Sequence, residues 1–297
     1  MNLTIIGYGF VGKALGSMLE KTHNITIVDP AYTDNAIPRD SDGYVICLPT
    51  PSAEDESCDM SIIVDVLDSL PHKAAVLIKS TISLEGWKDI TNTYPDLDVT
   101  FSPEFLTALN AVEDFNSQDT MLIGGGYYDF WIRCFDQCKK LTYIIKEPEE
   151  LILAKYFRNS FLATKVAFFN QIYDLCKTTN IDYNEVRGMI AMDERIGSSH
   201  TQVTNDRGFG GYCFPKDTKA IIATSDLAHY DLSILVEETN NPSDENSNVF
   251  REYRYLAGGD GGSLSEFTQL QTKIVMRTTN AAKVPVITDL RTIALSV

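Results

Sequence analysis

Cys213 stands in the run Gly208-Phe209-Gly210-Gly211-Tyr212-Cys213-Phe214-Pro215-Lys216-Asp217, a glycine-rich loop that sets one thiol beside a lysine and an aspartate. Three glycines in four residues let the backbone approach a ligand closely and take φ > 0 without steric cost. A thiol attacks as its thiolate, and a neighbouring cation such as Lys216 stabilises that form. Taken alone, a Gly-Gly-x-Cys run is more often a tight turn over a buried cysteine. A second constellation in the same chain reverses that weighting.

Gly7-Tyr8-Gly9-Phe10-Val11-Gly12 follows the apolar run Leu3–Ile6 directly and opens a helical pattern. A lone GxGxxG is weak, but between a first strand and a first helix it is a dinucleotide fingerprint. Gly7 permits the turn, Gly9 admits a pyrophosphate, and Gly12 lets helix and strand pack closely. The N–H groups of the helix start, at Phe10 and Val11, then meet the phosphate charge. Asp29 closes the next strand, 17 residues past Gly12, where an acid binds the ribose hydroxyls of NAD and repels the extra phosphate of NADP. The plain alternative is a tight turn with a solvated aspartate. A nicotinamide site together with a nucleophilic cysteine points to aldehyde oxidation through a thioester: thiolate adds, the adduct gives up hydride, and water releases the acid.

The elements that must hold these residues alternate strand and helix. Short apolar runs stand at Leu3–Ile6, Ile25–Val28, Tyr44–Cys47, Ala75–Ile78, Val99–Phe101, Met121–Ile123 and Tyr143–Ile145, with helical patterns such as Val11–Leu19, Ile62–Leu70 and Tyr127–Cys138 between them. That rhythm predicts an α/β domain, a Rossmann-type parallel sheet over residues 1–146. From Pro148 to about Thr179 one segment runs without Gly or Pro and opens on Pro-Glu-Glu, a good first helical turn. It predicts a helix roughly 45 Å long, with Leu151, Ala154, Phe157, Phe161, Phe168 and Ile172 giving it much buried surface. An all-helical domain is expected over 147–240: a helix at Tyr183–Met192, the glycine loop, then two short helices. Residues 241–297 read as linker and tail: Pro242–Asn248 is linker-like, Gly258–Ser263 is a flexible loop, and 264–297 suggests a helix and a strand without a functional reading.

Composition narrows the partners. Lysine and arginine number 25 against 41 acids, a net charge of −16 in 297 residues, so no basic footprint offers itself to nucleic acid or an anionic membrane. No apolar run approaches the roughly 18 residues needed to span a bilayer, and no basic leader precedes Leu3, so a soluble, cytoplasmic protein is expected. The six cysteines form no CxxC pair and no His cluster accompanies them, which excludes a zinc site and predicts free thiols, with Cys134 and Cys138 packed on one helix face.

Several further motifs are spaced through the chain: Ile46-Cys47-Leu48-Pro49-Thr50-Pro51, Lys79-Ser80-Thr81, Ser102-Pro103-Glu104-Phe105-Leu106, Lys155 with Asn159, and Asp193-Glu194-Arg195-Ile196-Gly197. With these, residues 1–240 resemble the UDP-glucose/GDP-mannose dehydrogenase family, the nucleotide-sugar 6-dehydrogenases, which use two NAD+ to oxidise a sugar C6 alcohol to a carboxylate. The resemblance implies a 6-phosphogluconate-dehydrogenase-like architecture with a helical second domain built on the long helix, and a homodimer formed through it. It implies Cys213 as the nucleophile, with Lys155 and Asn159 holding the reacting oxygen and Asp217 helping, through a water, to take the alcohol proton. Glu104 would activate the hydrolytic water and Thr81 would position it. Pro49, Thr50, Ser80, Thr81 and Lys216 would contact the cofactor, and Phe105, Leu106, Phe209, Gly210, Gly211 and, across the dimer, Arg195 would contact the substrate. UDP-glucose is the favoured substrate, with GDP-mannose as the alternative. Two other readings stay open: a dehydrogenase of a smaller alcohol or hydroxy acid, which has no need of Cys213, and a truncated, non-catalytic homologue that binds NAD.

The chain also departs from that pattern. Ala108 stands where the family often has a second glutamate, and Asn205-Asp206 replaces the Pro-Gly that usually opens the substrate loop. Nothing after Asn241 reads as the family's third, nucleotide-gripping domain.

Overall fold

The computed structural model of the chain describes residues 1–53, 57–106, 110–205, 207–211, 213–227, 234–236 and 254–256. The linker-like run, the second glycine-rich run, Ala108 and Asp206 lie outside these residues, and so does 264–297.

Seven strands form one sheet: β1 (Asn2–Ile6), β2 (Asn24–Val28), β3 (Gly43–Ile46), β4 (Ala75–Ile78), β5 (Asp98–Phe101), β6 (Thr120–Gly125) and β7 (Thr142–Ile145), in the order β2-β1-β3-β4-β5-β6-β7. Alternation along each strand sends side chains to both faces. Leu3, Ile5, Val45, Leu77, Met121 and Ile123 enter one core with α1 (Phe10–Leu19), α4 (Ala111–Ser117) and α5 (Tyr128–Cys138). Ile6, Tyr44, Ile46, Val76, Ile78 and Phe101 enter the other with α2 (Ser61–Ser69), α3 (Leu84–Thr93) and the long helix α6 (Pro148–Thr179). The architecture is therefore a doubly wound α/β sheet followed by helices.

One junction departs from the expected parallel sheet. β6 runs antiparallel to β5, pairing Thr100 with Gly125 and Phe101 with Gly124, before β7 joins β6 in parallel. A strand buried on both faces carries the same apolar run in either direction, so direction is not encoded in the pattern.

α6 takes the expected bounds for identifiable reasons. Pro148 sits in its first turn with Glu149 and Glu150, Lys177 sits in its last, and Asn180 caps it in the left-handed region at φ 56°. Its burial differs from expectation: Leu151, Ile152, Tyr156, Ala163 and Ala167 are buried, whereas Phe157, Phe161 and Phe168 are 45%, 68% and 56% exposed. A helix of 32 residues overreaches the sheet it packs on, so part of its apolar surface faces outward. α7 (Tyr183–Ala191) and α8 (Phe214–Leu227) follow. In place of a second short helix, Ile234–Val236 forms a strand, β8, pairing antiparallel with β9 (Arg254–Leu256). Three apolar residues in a row suit strand and helix equally, which is why the pattern misleads there. Among the described residues no helix is long and apolar enough to cross a membrane.

Candidate active site

Strand order makes β1 the turning point of the sheet, with β2 on one side and β3 on the other. Loops leaving the carboxyl ends of strands at such a point diverge and open a crevice. The glycine loop after β1 sits there. Gly7 takes φ +90°, and a Cβ on it would lie 2.5 Å from the Cys47 carbonyl oxygen. A Cβ on Gly12 would lie 2.2 Å from the Gly7 carbonyl oxygen, so α1 packs this close to β1 only with glycine at that position. Gly9 caps α1 without a side-chain hydrogen bond and has open space where a Cβ would point. The N–H groups of the first turn therefore face outward with no acidic side chain among them. Asp29, at the end of β2, accepts from Tyr8 N–H at 2.6 Å and from Ala31 N–H at 2.8 Å, which fastens this loop to its neighbour. Lys13 and Tyr32 close the outer edge, with Lys13 Nζ 2.6 Å from the phenol oxygen.

The loops after β3, β4 and β5 converge beside it. Lys79, immediately after β4, is fully buried and its Nζ lies 2.8 Å from Glu104 Oε2, itself buried in the segment after β5. The ammonium donates to Ser102 Oγ at 3.1 Å. Glu104 Oε1 accepts from Phe105 N–H at 3.0 Å, while Oε2 has the cation close by but no aligned hydrogen-bond donor. Cys47, after β3, feels both charges, and burial pushes its thiol up to about 12. Ser80 donates to the Ile46 carbonyl at 3.4 Å, and Thr81 is buried next to it.

α6 and α8 supply the remaining groups. Lys155 and Asn159, one turn apart on α6, are both buried. Asn159 Nδ2 donates to Asp217 Oδ2 at 2.6 Å, and Asp217, in the first turn of α8, is 0% exposed with Oδ1 lacking a hydrogen bond. Lys216 Nζ lies 3.6 Å from that oxygen and donates to Thr50 Oγ1 at 3.4 Å. Burial holds the Lys216 ammonium below the usual lysine range, with Asp217 opposing that effect and Lys155 adding to it. Cys213 is half-buried directly before α8, and its carbonyl accepts from Asp217 N–H at 2.8 Å. The Lys155 ammonium has no carboxylate within 4 Å among the described residues.

Hydrogen bonds stitch these segments together. Tyr156 on α6 donates to the Ile82 carbonyl at 2.9 Å, and Cys58 Sγ reaches the Thr81 carbonyl at 3.5 Å. Arg158 lies 4.2 Å over the Phe105 ring. Arg207 stacks on Tyr173 of α6 at 4.2 Å and fixes the start of the glycine loop, in which Gly211 takes φ +82°.

The expected residues thus fall into groups. Thr50, Ser80, Thr81, Glu104, Phe105, Lys155, Asn159, Cys213, Lys216 and Asp217 lie on segments that meet. Pro49 is exposed beside Thr50, Leu106 is half-buried, and Gly210 and Gly211 are exposed. The Phe209 side chain is 3% exposed within the core, so only its backbone can meet a ligand. Arg195 stands apart, exposed in the turn beyond α7 and paired with Asp193. Cys58, Tyr156 and Arg158, and Lys79 as the partner of Glu104, carry no role in the motif reading. For Lys79 a signal was present: a lysine directly after the four apolar residues of β4 has little access to water. A cavity of about 280 Å³ between α2, α3 and α8 is lined by Cys58, Tyr94 and Thr224 and by none of the expected site residues. Among the described residues no cluster of metal-ligating side chains occurs.

Comparison with known proteins matches two family models. Residues 30–129 match the UDP-glucose/GDP-mannose dehydrogenase family, NAD binding domain, and residues 150–242 match the central domain of the same family. The chain is 29% identical over 286 residues to UDP-glucose 6-dehydrogenase of Rickettsia bellii, a match covering 79% of this chain and 65% of that one. It is 31% identical over 242 residues to UDP-glucose 6-dehydrogenase of Rhizobium meliloti, covering 74% and 54% respectively. The solved UDP-glucose dehydrogenase of Pyrobaculum islandicum superposes with a TM-score of 0.65 at 25% identity, over 77% of this chain and 65% of that one. The chain therefore spans about two-thirds or less of the length of these relatives.

Proposed function

The chain belongs to the UDP-glucose/GDP-mannose dehydrogenase family, and we propose that it oxidises the C6 alcohol of a nucleotide sugar to the carboxylate with two NAD+, UDP-glucose being the favoured substrate. The observation that carries this reading is the buried group at the carboxyl edge of the sheet. There Asp217 Oδ1 is buried without a hydrogen bond among the described residues, beside the buried Lys155 and Asn159 and the half-buried Cys213. Buried polar groups without partners await a ligand or water.

NAD fits the other half of the crevice. The outward-facing N–H groups at Gly9–Gly12 suit a pyrophosphate and Asp29 suits a ribose, and the bound nicotinamide accepts hydride. Lys155 and Asn159 hold the C6 oxygen, and Lys155 stabilises negative charge developing on it. Asp217, through a water, receives the hydroxyl proton as C6 loses its first hydride. Cys213 Sγ then bonds to the aldehyde carbon, and loss of a second hydride leaves a thioester. Water attacks its carbonyl carbon, Glu104 takes the water proton, and the C–S bond breaks to return the thiolate. One alcohol and one water thus yield one carboxylate, two hydrides and three protons. Pairing of two copies through the outward apolar face of α6 accompanies this reading, with Arg195 offered to the partner's site.

Mixing the protein with NAD+ and UDP-glucose or GDP-mannose should release two NADH per sugar consumed, and Cys213→Ala should abolish both. NAD+ binding without turnover on any nucleotide sugar overturns the catalytic reading in favour of a cofactor-binding subunit. Full turnover by Cys213→Ala would favour a dehydrogenase of simpler alcohols.

A further inference from the structure

We infer that Lys79 is a positioning residue for thioester hydrolysis: its ammonium compensates and orients the buried Glu104 carboxylate that must receive the water proton. This inference rests on the proposed role of Glu104 as general base.

The geometry divides the work within the pair. A carboxylate taken out of water is tolerated only beside an opposite charge, and Lys79 is that charge at 2.8 Å. Neither partner reaches solvent, with side chains 0% and 4% exposed, so bulk water does not substitute for either. The ammonium is anchored elsewhere, by its hydrogen bond to Ser102 Oγ, a residue with no exposure at all. Glu104 Oε1 is occupied by the Phe105 N–H, which sets the rotation of the carboxylate. Oε2 faces the cation, and as a carboxylate oxygen it has a second lone pair beyond that contact. A carboxylate so placed is charge-compensated and held in one orientation, as a general base must be.

The consequence is a separation of half-reactions. Both hydride losses, and the bond between Cys213 and the aldehyde carbon, make no use of Glu104. Only the last step does, where water adds to the thioester, its proton passes to Glu104, and the C–S bond breaks. Loss of Lys79 should leave formation of the acyl-enzyme intact and slow its hydrolysis.

The test compares the full-length wild type with Lys79→Met, Glu104→Gln and the double variant, using NAD+ and UDP-glucose in rapid mixing, with the mass of Cys213 followed on the quenched protein. Lys79→Met should retain a burst of two NADH per site and accumulate the Cys213 adduct, with steady turnover lowered by roughly 100-fold, the scale expected when a general base is misplaced. The double variant should hydrolyse no slower than Glu104→Gln, because Lys79 acts through Glu104. It restores a neutral pair, so it decides the matter even if Lys79→Met does not fold. Three results would overturn the inference: wild-type turnover in Lys79→Met, loss of its burst together with its turnover, or a double variant slower than Glu104→Gln by the full single-variant factor. A wild type that yields no burst on any nucleotide sugar instead overturns the functional reading, and this inference with it.

Discussion

Asp217 depends on Asn159 more than the motif spacing reveals. One oxygen of this fully buried carboxylate accepts from the Asn159 amide and the other has no hydrogen bond, with Lys216 standing 3.6 Å away. Asn159→Ala therefore removes the aligned donor seen at Asp217 as well as the donor proposed to hold the substrate oxygen. Turnover should fall by about 100- to 1,000-fold, the usual effect of losing a single oxyanion donor. Stability should fall by about 1–3 kcal/mol, the desolvation cost of stranding a buried acceptor. Steady-state kinetics and urea unfolding of the variant check both, and a loss of stability without a loss of rate would remove Asn159 from the chemistry. Cys213 and Asp217 were legible as candidates from the glycine loop itself, whereas Lys155 and Asn159 were candidates only through the family resemblance. The hydrogen bond between the two helices was not legible, since no local pattern links position 159 to position 217.

The turn that carries His200 shows how packing between elements writes a pH dependence into the protein. Its ring lies 5.4 Å from that of Phe214, at the start of α8, and its Nδ1 meets Ser199 Oγ, while α6 contributes Lys165 and Arg158. Burial, and then those two cations, hold its pKa below the ordinary 6.5. As pH falls through 6.5 the unfolded chain takes up a proton that the native ring resists, so stability declines in that window until the native ring also protonates. His200→Gln should flatten this decline between about pH 7 and pH 5. Urea midpoints of wild type and variant across that range check it, and parallel curves would contradict it. Elements were the most legible level of this molecule. The Pro-Glu-Glu start of α6 and its unbroken run to Thr179 marked both ends, and every strand of the seven-stranded sheet held an apolar run. Apart from β8, a strand where a helix was expected, what escaped was relational: the reversal of β6, and the outward turn of Phe157, Phe161 and Phe168.

Those three aromatics, with Leu175 at 64% exposure, make a stripe on one long helix that water would normally not be left to cover. If two copies bury it against each other, Phe161→Glu should convert a dimer in sedimentation to a monomer, and an unchanged sedimentation coefficient would place the interface elsewhere. The assembled site was less legible than its parts, because it joins segments from Gly7 to Asp217 and the buried pair of Lys79 with Glu104 declares itself only when two strand ends lie side by side. That wide span bears on the order of events when the chain folds. Thr50 and Lys216 touch across 166 positions, and Tyr156 meets Ile82 across 74. Closing loops of that length costs entropy that only later contacts repay, so local strands and helices form sooner than such pairs. The groups proposed to carry the chemistry thus come together late, and a half-folded chain holds Cys213 without the neighbours its proposed role requires.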